Sequence, residues 1–184
     1  TLTYGEPKLT EELIARGFAQ TEVLTLVASL ERYSKHPLAR AILAAAKEDA
    51  LQLPEATEVS EQPGQGLRGT VSRHQLQITS RGKLLAQKVA GVDQLPPLTG
   101  GLECVVVIDN RYAAVLRFRD APRADSRSFV SHLGPKHHFA RVMIVSGDRE
   151  SEVRYLAEQV GITEIHGQKS PEEKLALVRK ETAA

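Results

Sequence analysis

The chain has 184 residues, 41% hydrophobic and 26% charged, and its 24 basic side chains nearly balance 23 acidic ones. The net charge of +1 gives no electrostatic case for nucleic acid or an anionic membrane surface. No apolar run approaches the ~20 residues that span a bilayer, no signal peptide is visible, and a single cysteine (Cys104) excludes internal disulfides and thiolate metal clusters. This fits a cytoplasmic protein or the cytoplasmic part of a larger one, with room for one large or two small domains.

From Thr21, the residues Val23, Leu26, Val27 and Leu30 recur at helical spacing, which predicts a helix to about Tyr33. "SKHPLA" then breaks the pattern, because proline lacks the donor and its ring strikes the preceding turn. Leu38, Ala41, Ile42 and Ala45 resume it to about Ala50. Pro37 is expected at the first helical position, with His36 capping the second helix and the break forming a helical corner.

Beyond Pro54 the texture is short, alternating and β-rich, with Leu67, Val71, Leu76 and Ile78 as apolar members and "SRHQ" as a hairpin turn. A short helix is expected over Lys83 to Val89, and "VDQLPPLTGG" reads as a loop. "CVVVI" and "AAVLRF" flank "DNRY", a second hairpin. This order predicts an α+β unit on an antiparallel sheet.

After Asp120 the grammar changes. A helix from about Arg123 to Leu133 leads to the strand "RVMIVSGD", then to a helix with Val153, Leu156, Ala157 and Val160 on one face, closed by Gly161. "ITEIHG" offers a short strand, and "SPEEKLALV" opens a last helix through a Ser170–Glu173 capping box with Pro171 first. Alternation of strand and helix predicts an α/β part with a parallel sheet. The first unit reads as an insertion into the second. The start at "TLTYGEP" and the close in "LVRKETAA" read as the ends of an excised fragment.

Four stretches carry candidate chemistry. An imidazole at the N-terminal end of a helix is disfavoured from protonating, and a neutral ring can stack on a heteroaromatic base or donate one hydrogen bond. Capping alone would also explain His36. "PGQGLRG" offers Gly64 and Gly66, which let backbone approach a ligand, although a bulged strand explains them equally; the flanking strands exclude a dinucleotide fingerprint. "VMIVSGD" puts the Ser146 hydroxyl and the Asp148 carboxylate at the carboxyl end of a strand, where α/β sheets bind ligands, unless Asp148 simply caps the next helix. Lys174 in the first turn of the last helix opposes the helix dipole, and a phosphate would account for it. His132, His137 and His138 read as a solvated loop, and no metal-ligand set is expected.

Taken in order, "TLTYGEP", "SKHPLA", "PGQGLRG", "FRDAPR", "VSGD" and "KSPEEK" resemble heavy-metal-transporting P-type ATPases, the class that includes copper pumps, over essentially the whole chain. The resemblance implies an α+β nucleotide-binding domain (antiparallel sheet with flanking helices) over 8–118. It would be inserted into a partial α/β haloacid-dehalogenase-like phosphorylation domain, residues 1–7 and 119–184. It further implies that His36 holds the adenine with Glu31 assisting, that Gly64 and Gly66 lie beside the nucleotide, and that Ser146, Asp148 and Lys174 serve the phosphoryl group. Asp120 and Arg123 would mark the hinge. ATP and, in the full-length protein, Mg2+ are the implied cofactors. Partners would be transmembrane and actuator domains of the same chain at the cytoplasmic face of a membrane, with no nucleic acid.

Two departures are internal: Lys35 stands where the family usually has Glu, and Thr79 where a glycine contacting nucleotide is common. The phosphorylated Asp of the family would precede Thr1, so this stretch alone is expected not to turn ATP over. A soluble haloacid-dehalogenase-type phosphatase with a large cap domain is the alternative enzyme. A non-catalytic nucleotide-sensing module is the alternative binding protein.

Overall fold

A computed structural model describes residues 3–62, 65–123, 125–137 and 141–182. The chain folds as two compact units, one of Pro7–Arg119 and one of Thr1–Glu6 with Asp120–Ala184. Gly64 and His138 lie outside the described residues.

The Pro7–Arg119 unit is built on a six-stranded sheet ordered β1-β6-β5-β4-β3-β2. The strands are β1 (Thr3–Ile14), β2 (Ala56–Gln62), β3 (Gly66–Val71), β4 (His74–Thr79), β5 (Leu102–Ile108) and β6 (Arg111–Pro122), and β2 through β6 pair antiparallel. Both sequence-expected hairpins have two-residue loops, Ser72–Arg73 and Asp109–Asn110, with φ of 48° and 72° and of 49° and 59°. Positive φ at both central residues matches the right-handed twist of the strands that such a loop joins.

Helices α1 (Gln20–Glu31) and α2 (Ala39–Glu48) cover one face of this sheet. Their apolar stripes, including Val23, Val27, Leu30, Ile42 and Ala46, pack against Leu67, Leu76, Ile78, Val106 and Leu116. Burying one such leucine or isoleucine side chain stabilises the fold by about 1.5–3 kcal/mol. On the opposite face, α3 (Arg81–Leu85) sends Leu84 against Val105, Val107 and Val115.

One element was not foreseen and two expectations are corrected. β1 is a strand, although "KLTEELI" carries helical spacing; Ala15 N–H bonds to Ala113 O and Thr10 Oγ1 to Arg117 O, so pairing along β6 overrides local preference. α3 starts two residues earlier than expected and ends at Leu85. α2 begins at Ala39, not Pro37: Pro37 occupies the second position of a turn closed by Ala39 N–H to His36 O, where its fixed φ is suited.

The second unit holds α4 (Ser126–His137), β7 (Met143–Val145), α5 (Glu150–Val160), β8 (Glu164–His166) and α6 (Pro171–Thr182). β7 and β8 pair in parallel, as the alternation predicts. Ile144, Val153, Ala157, Val160 and Ile162 make its core, and Gly161 ends α5 at φ 81°. The capping box closes as expected: Ser170 N–H donates to Glu173 Oε2 at 2.7 Å, and Glu173 N–H to Ser170 Oγ at 3.2 Å.

Candidate functional site

Within the Pro7–Arg119 unit the α1–α2 corner, the facing ends of β2 and β3 and the ends of β4 and β5 line a cavity of about 470 Å3. Glu31, His36 and Gly66 line it, together with Ser34, Glu61, Thr79, Lys83 and Cys104. Three of the four expected nucleotide-facing residues therefore share one cavity.

Glu31 ends α1 and is 4% exposed, with Oε2 buried and unpartnered. Burial pushes its carboxyl up to about 7; the Ser34 hydroxyl opposes that shift and the nearby Glu61 carboxylate adds to it. Ser34 stands between the two acids, and its one proton goes to Glu61, with Ser34 Oγ donating to Glu61 Oε1 at 2.7 Å. A buried carboxyl oxygen without a partner is costly unless a donor from a ligand satisfies it.

His36 sits on an exposed turn whose bonds fix its ring. Its N–H donates to Ser34 Oγ at 3.0 Å, and Leu38 N–H donates to His36 Nδ1 at 3.2 Å. Nδ1 is thereby the acceptor, so the neutral ring carries its hydrogen on Nε2, free to donate. The expected capping holds in modified form, since the ring meets Leu38 N–H one residue before α2 begins.

Gly66 has φ +81°, and a Cβ there would lie 2.2 Å from Ile78 O. Only glycine lets β3 leave the turn so close to β4. Thr79, which the resemblance sets where a glycine was expected, is buried with Oγ1 unpartnered. Cys104 is buried, and burial pushes its thiol well above the usual range, with the Glu31 and Glu103 carboxylates adding to the effect. Such a thiol is an inert lining group.

At the rim, Glu103 (10% exposed) joins two arginines. Arg81 Nη2 donates to Glu103 Oε2 at 3.1 Å, and Arg117 Nε lies 3.8 Å from the same oxygen. Arg81 also donates to Pro96 O, and Arg117 to Pro97 O and to Glu11 Oε2. The network pins the Pro-rich loop to the sheet. Sequence reading missed Glu61 and Glu103, since their partners are distant along the chain.

In the second unit, Ser146, Asp148 and Lys174 come together at the carboxyl end of β7. Ser146 Oγ donates to Asp148 Oδ2 at 2.6 Å and accepts Asp148 N–H at 3.2 Å. Asp148 does not cap α5, whose N-terminal cap, Arg149, makes no side-chain bond. A Cβ on Gly147 would stand 3.7 Å from Lys174 Nζ, so this glycine turn lies directly under the ammonium. A hydroxyl, an ammonium and a helix start in one place suit anionic oxygens. Asp120 lies in β6, and Arg123 Nε donates to Thr3 O at 3.3 Å.

Comparison with known proteins gives consistent findings. The chain is 36% identical over 183 residues to a copper-transporting ATPase of Helicobacter felis, covering 98% of this chain and 24% of that one. It is 32% identical to a probable cobalt/nickel-exporting P-type ATPase of Mycolicibacterium smegmatis, covering 98% and 27%. The chain thus spans about a quarter of the length of these relatives. Its fold is similar to a zinc-transporting PIB-type ATPase in the E2.Pi state, with a TM-score of 0.79 and 29% identity over all of this chain and 30% of that one. It also resembles the catalytic domain of the CPx-ATPase CopB-B, with a TM-score of 0.60 and 28% identity over 100% and 63% of the two chains. The family model of haloacid dehalogenase-like hydrolases matches residues 1–182, and the chain belongs to that family, with heavy-metal P-type ATPases among its similar relatives.

Proposed function

We propose that this chain is the ATP-binding and phosphorylation region of a heavy-metal cation pump, with adenine nucleotide bound in the Pro7–Arg119 unit. The observation that carries this reading is the convergence of Glu31, with its buried unpartnered oxygen, and His36, with Nε2–H free, on one cavity. The adenine amino group would donate to Glu31, the imidazole would stack on the base, and Gly66 would leave room for the ligand against β4. Similarity to copper, cobalt/nickel and zinc transporters supports a soft or borderline metal cargo, and similarity to several copper-transporting ATPases favours copper.

Phosphoryl transfer to an aspartate needs positioning and charge neutralisation. In this reading Ser146 hydrogen-bonds the phosphoryl oxygens, Lys174 neutralises their charge, Asp148 orients the nucleotide side, and Asp120 and Arg123 serve the hinge. Mg2+ takes oxygen ligands from a carboxylate and substrate phosphates together, so it would arrive with the nucleotide. The pump itself would sit in a membrane, with this region on the cytoplasmic side.

Calorimetric titration with ATP, AMP and GTP tests the reading. ATP and AMP should bind and GTP should bind markedly more weakly. No heat with either adenine nucleotide, or equal affinity for GTP, would refute it.

A further inference from the structure

We propose that Glu61 is a positioning residue for this site: resting on the nucleotide reading above, its carboxylate holds the α1–α2 corner so that His36 is aimed at the base. The carboxylate clamps two consecutive residues of the corner. Oε1 accepts the Ser34 hydroxyl at 2.7 Å, and Oε2 accepts Lys35 N–H at 3.1 Å. A serine hydroxyl has one hydrogen. Giving it to Glu61 leaves the Ser34 oxygen as an acceptor, and His36 N–H uses it at 3.0 Å. The chain of bonds runs from the Glu61 carboxylate through Ser34 to the His36 backbone, while Leu38 N–H fixes the ring from the other side.

A defect in the sheet puts Glu61 there. β2 and β3 pair Thr57 with Thr70 but Ser60 with Arg68, so β2 carries one extra residue. Beyond that bulge Glu61 stands opposite Leu67, which faces the α1–α2 layer. With regular pairing Ser60 would stand opposite Leu67, and Glu61 would turn to the other face. Glu58, inside the bulge, has φ +53°, a conformation that costs a non-glycine residue and persists only where its surroundings impose it. The Glu61 carboxyl is also held below its usual range, first by the Ser34 hydroxyl and then by Lys35 N–H, so it is ionised when it clamps. The positive charge of Lys35 acts in the same direction, as the smallest of the causes.

Two readouts test the assignment on the 184-residue chain. Glu61→Ala should lower ATP affinity about three- to tenfold, in the range of one or two lost hydrogen bonds. In a His36→Ala background the same substitution should change affinity by less than about twofold, because it acts through that ring. Ser34→Ala should reproduce the loss without adding to it, and Glu61→Gln should lie between. Ring 15N NMR should show the Nε2–H tautomer of His36 in the parent above pH 8 and tautomer averaging in Glu61→Ala. An undiminished Glu61→Ala loss in the His36→Ala background, or an unchanged ring signature, overturns the assignment while leaving nucleotide binding intact. Unchanged ATP affinity in His36→Ala itself overturns the nucleotide reading, and Glu61's part in binding with it.

Discussion

Leu38 and His36 are joined by a 3.2 Å hydrogen bond from a backbone amide to a ring nitrogen, two residues apart across Pro37. The bond sets both the plane and the tautomer of the imidazole before any ligand arrives. Replacing His36 with alanine should weaken ATP binding by about 1–3 kcal/mol, the worth of one stacked base or a hydrogen bond. His74, which bonds to Asp109 at a hairpin turn, and His166 in β8 lie elsewhere. Their alanine variants should stay within about twofold of the parent, as surface substitutions usually do. Calorimetry, with circular dichroism as a check on folding, decides between these outcomes.

Glu31 predicts a pH dependence of stability. Burial raises its carboxyl from 4.5 to about 7, so between these values the folded chain keeps a proton that the unfolded chain releases. The stabilising contribution is complete below pH 4.5 and is lost as pH rises through about 7. The loss comes to about 3 kcal/mol at ~1.4 kcal/mol per pH unit. Glu31→Gln should gain on the parent by that order between pH 4.5 and pH 8 in urea unfolding. A constant difference between parent and variant across this range would refute the assignment.

Two glycines should respond to alanine in opposite directions. At Gly66 the new Cβ would strike Ile78 O, a backbone atom, and φ +81° is costly for any other residue. Gly66→Ala should lose about 2 kcal/mol or more and the nucleotide site with it. Gly82, within α3, has nothing within 4 Å of an added Cβ. Gly82→Ala should be neutral or stabilising by up to about 1 kcal/mol, the helix-propensity gain. Denaturant midpoints of the two variants provide the comparison.

Charge removal should matter by depth. Glu103, between Arg81 and Arg117, is nearly buried, and Glu103→Ala leaves two guanidinium groups without their shared partner. The expected loss is about 3 kcal/mol. Arg141, in contrast, bonds Glu164 and Glu181 from a side chain 54% exposed. Arg141→Ala should lose less than about 1 kcal/mol. Similar losses for the two variants would contradict this ordering.

The sequence made the apolar helices and both hairpins legible because the signals are local. Val23, Val27 and Leu30 repeat at the helical period, and Ser72–Arg73 and Asp109–Asn110 fall between alternating strands. The α/β part was equally readable, since Ser170, Pro171 and Glu173 announce α6 within four residues. β1 was not, because Leu9 and Leu13 stand four apart, a helical spacing, and the strand exists through partners on β6, about a hundred residues away. The same distance hid half of the site. His36 could be picked out from its proline, but Glu61 acts across 26 residues and through a bulge at Glu58, which no spacing in "EVSEQ" reveals. The Asp148 carboxyl, which position alone would give to the start of α5, is taken by Ser146 instead.

The lone cysteine gives the molecule a chemical clock. Cys104 lies in β5 with its thiol protonated and nearly buried, so an alkylating reagent consumes it only when the strands or the cavity that it lines open further. Each labelled chain therefore records one such opening, with no second sulfhydryl to confuse the count. Since Cys104 also lines the cavity, anything that settles into that space should slow the clock, and mass spectrometry of intact chains would read its rate.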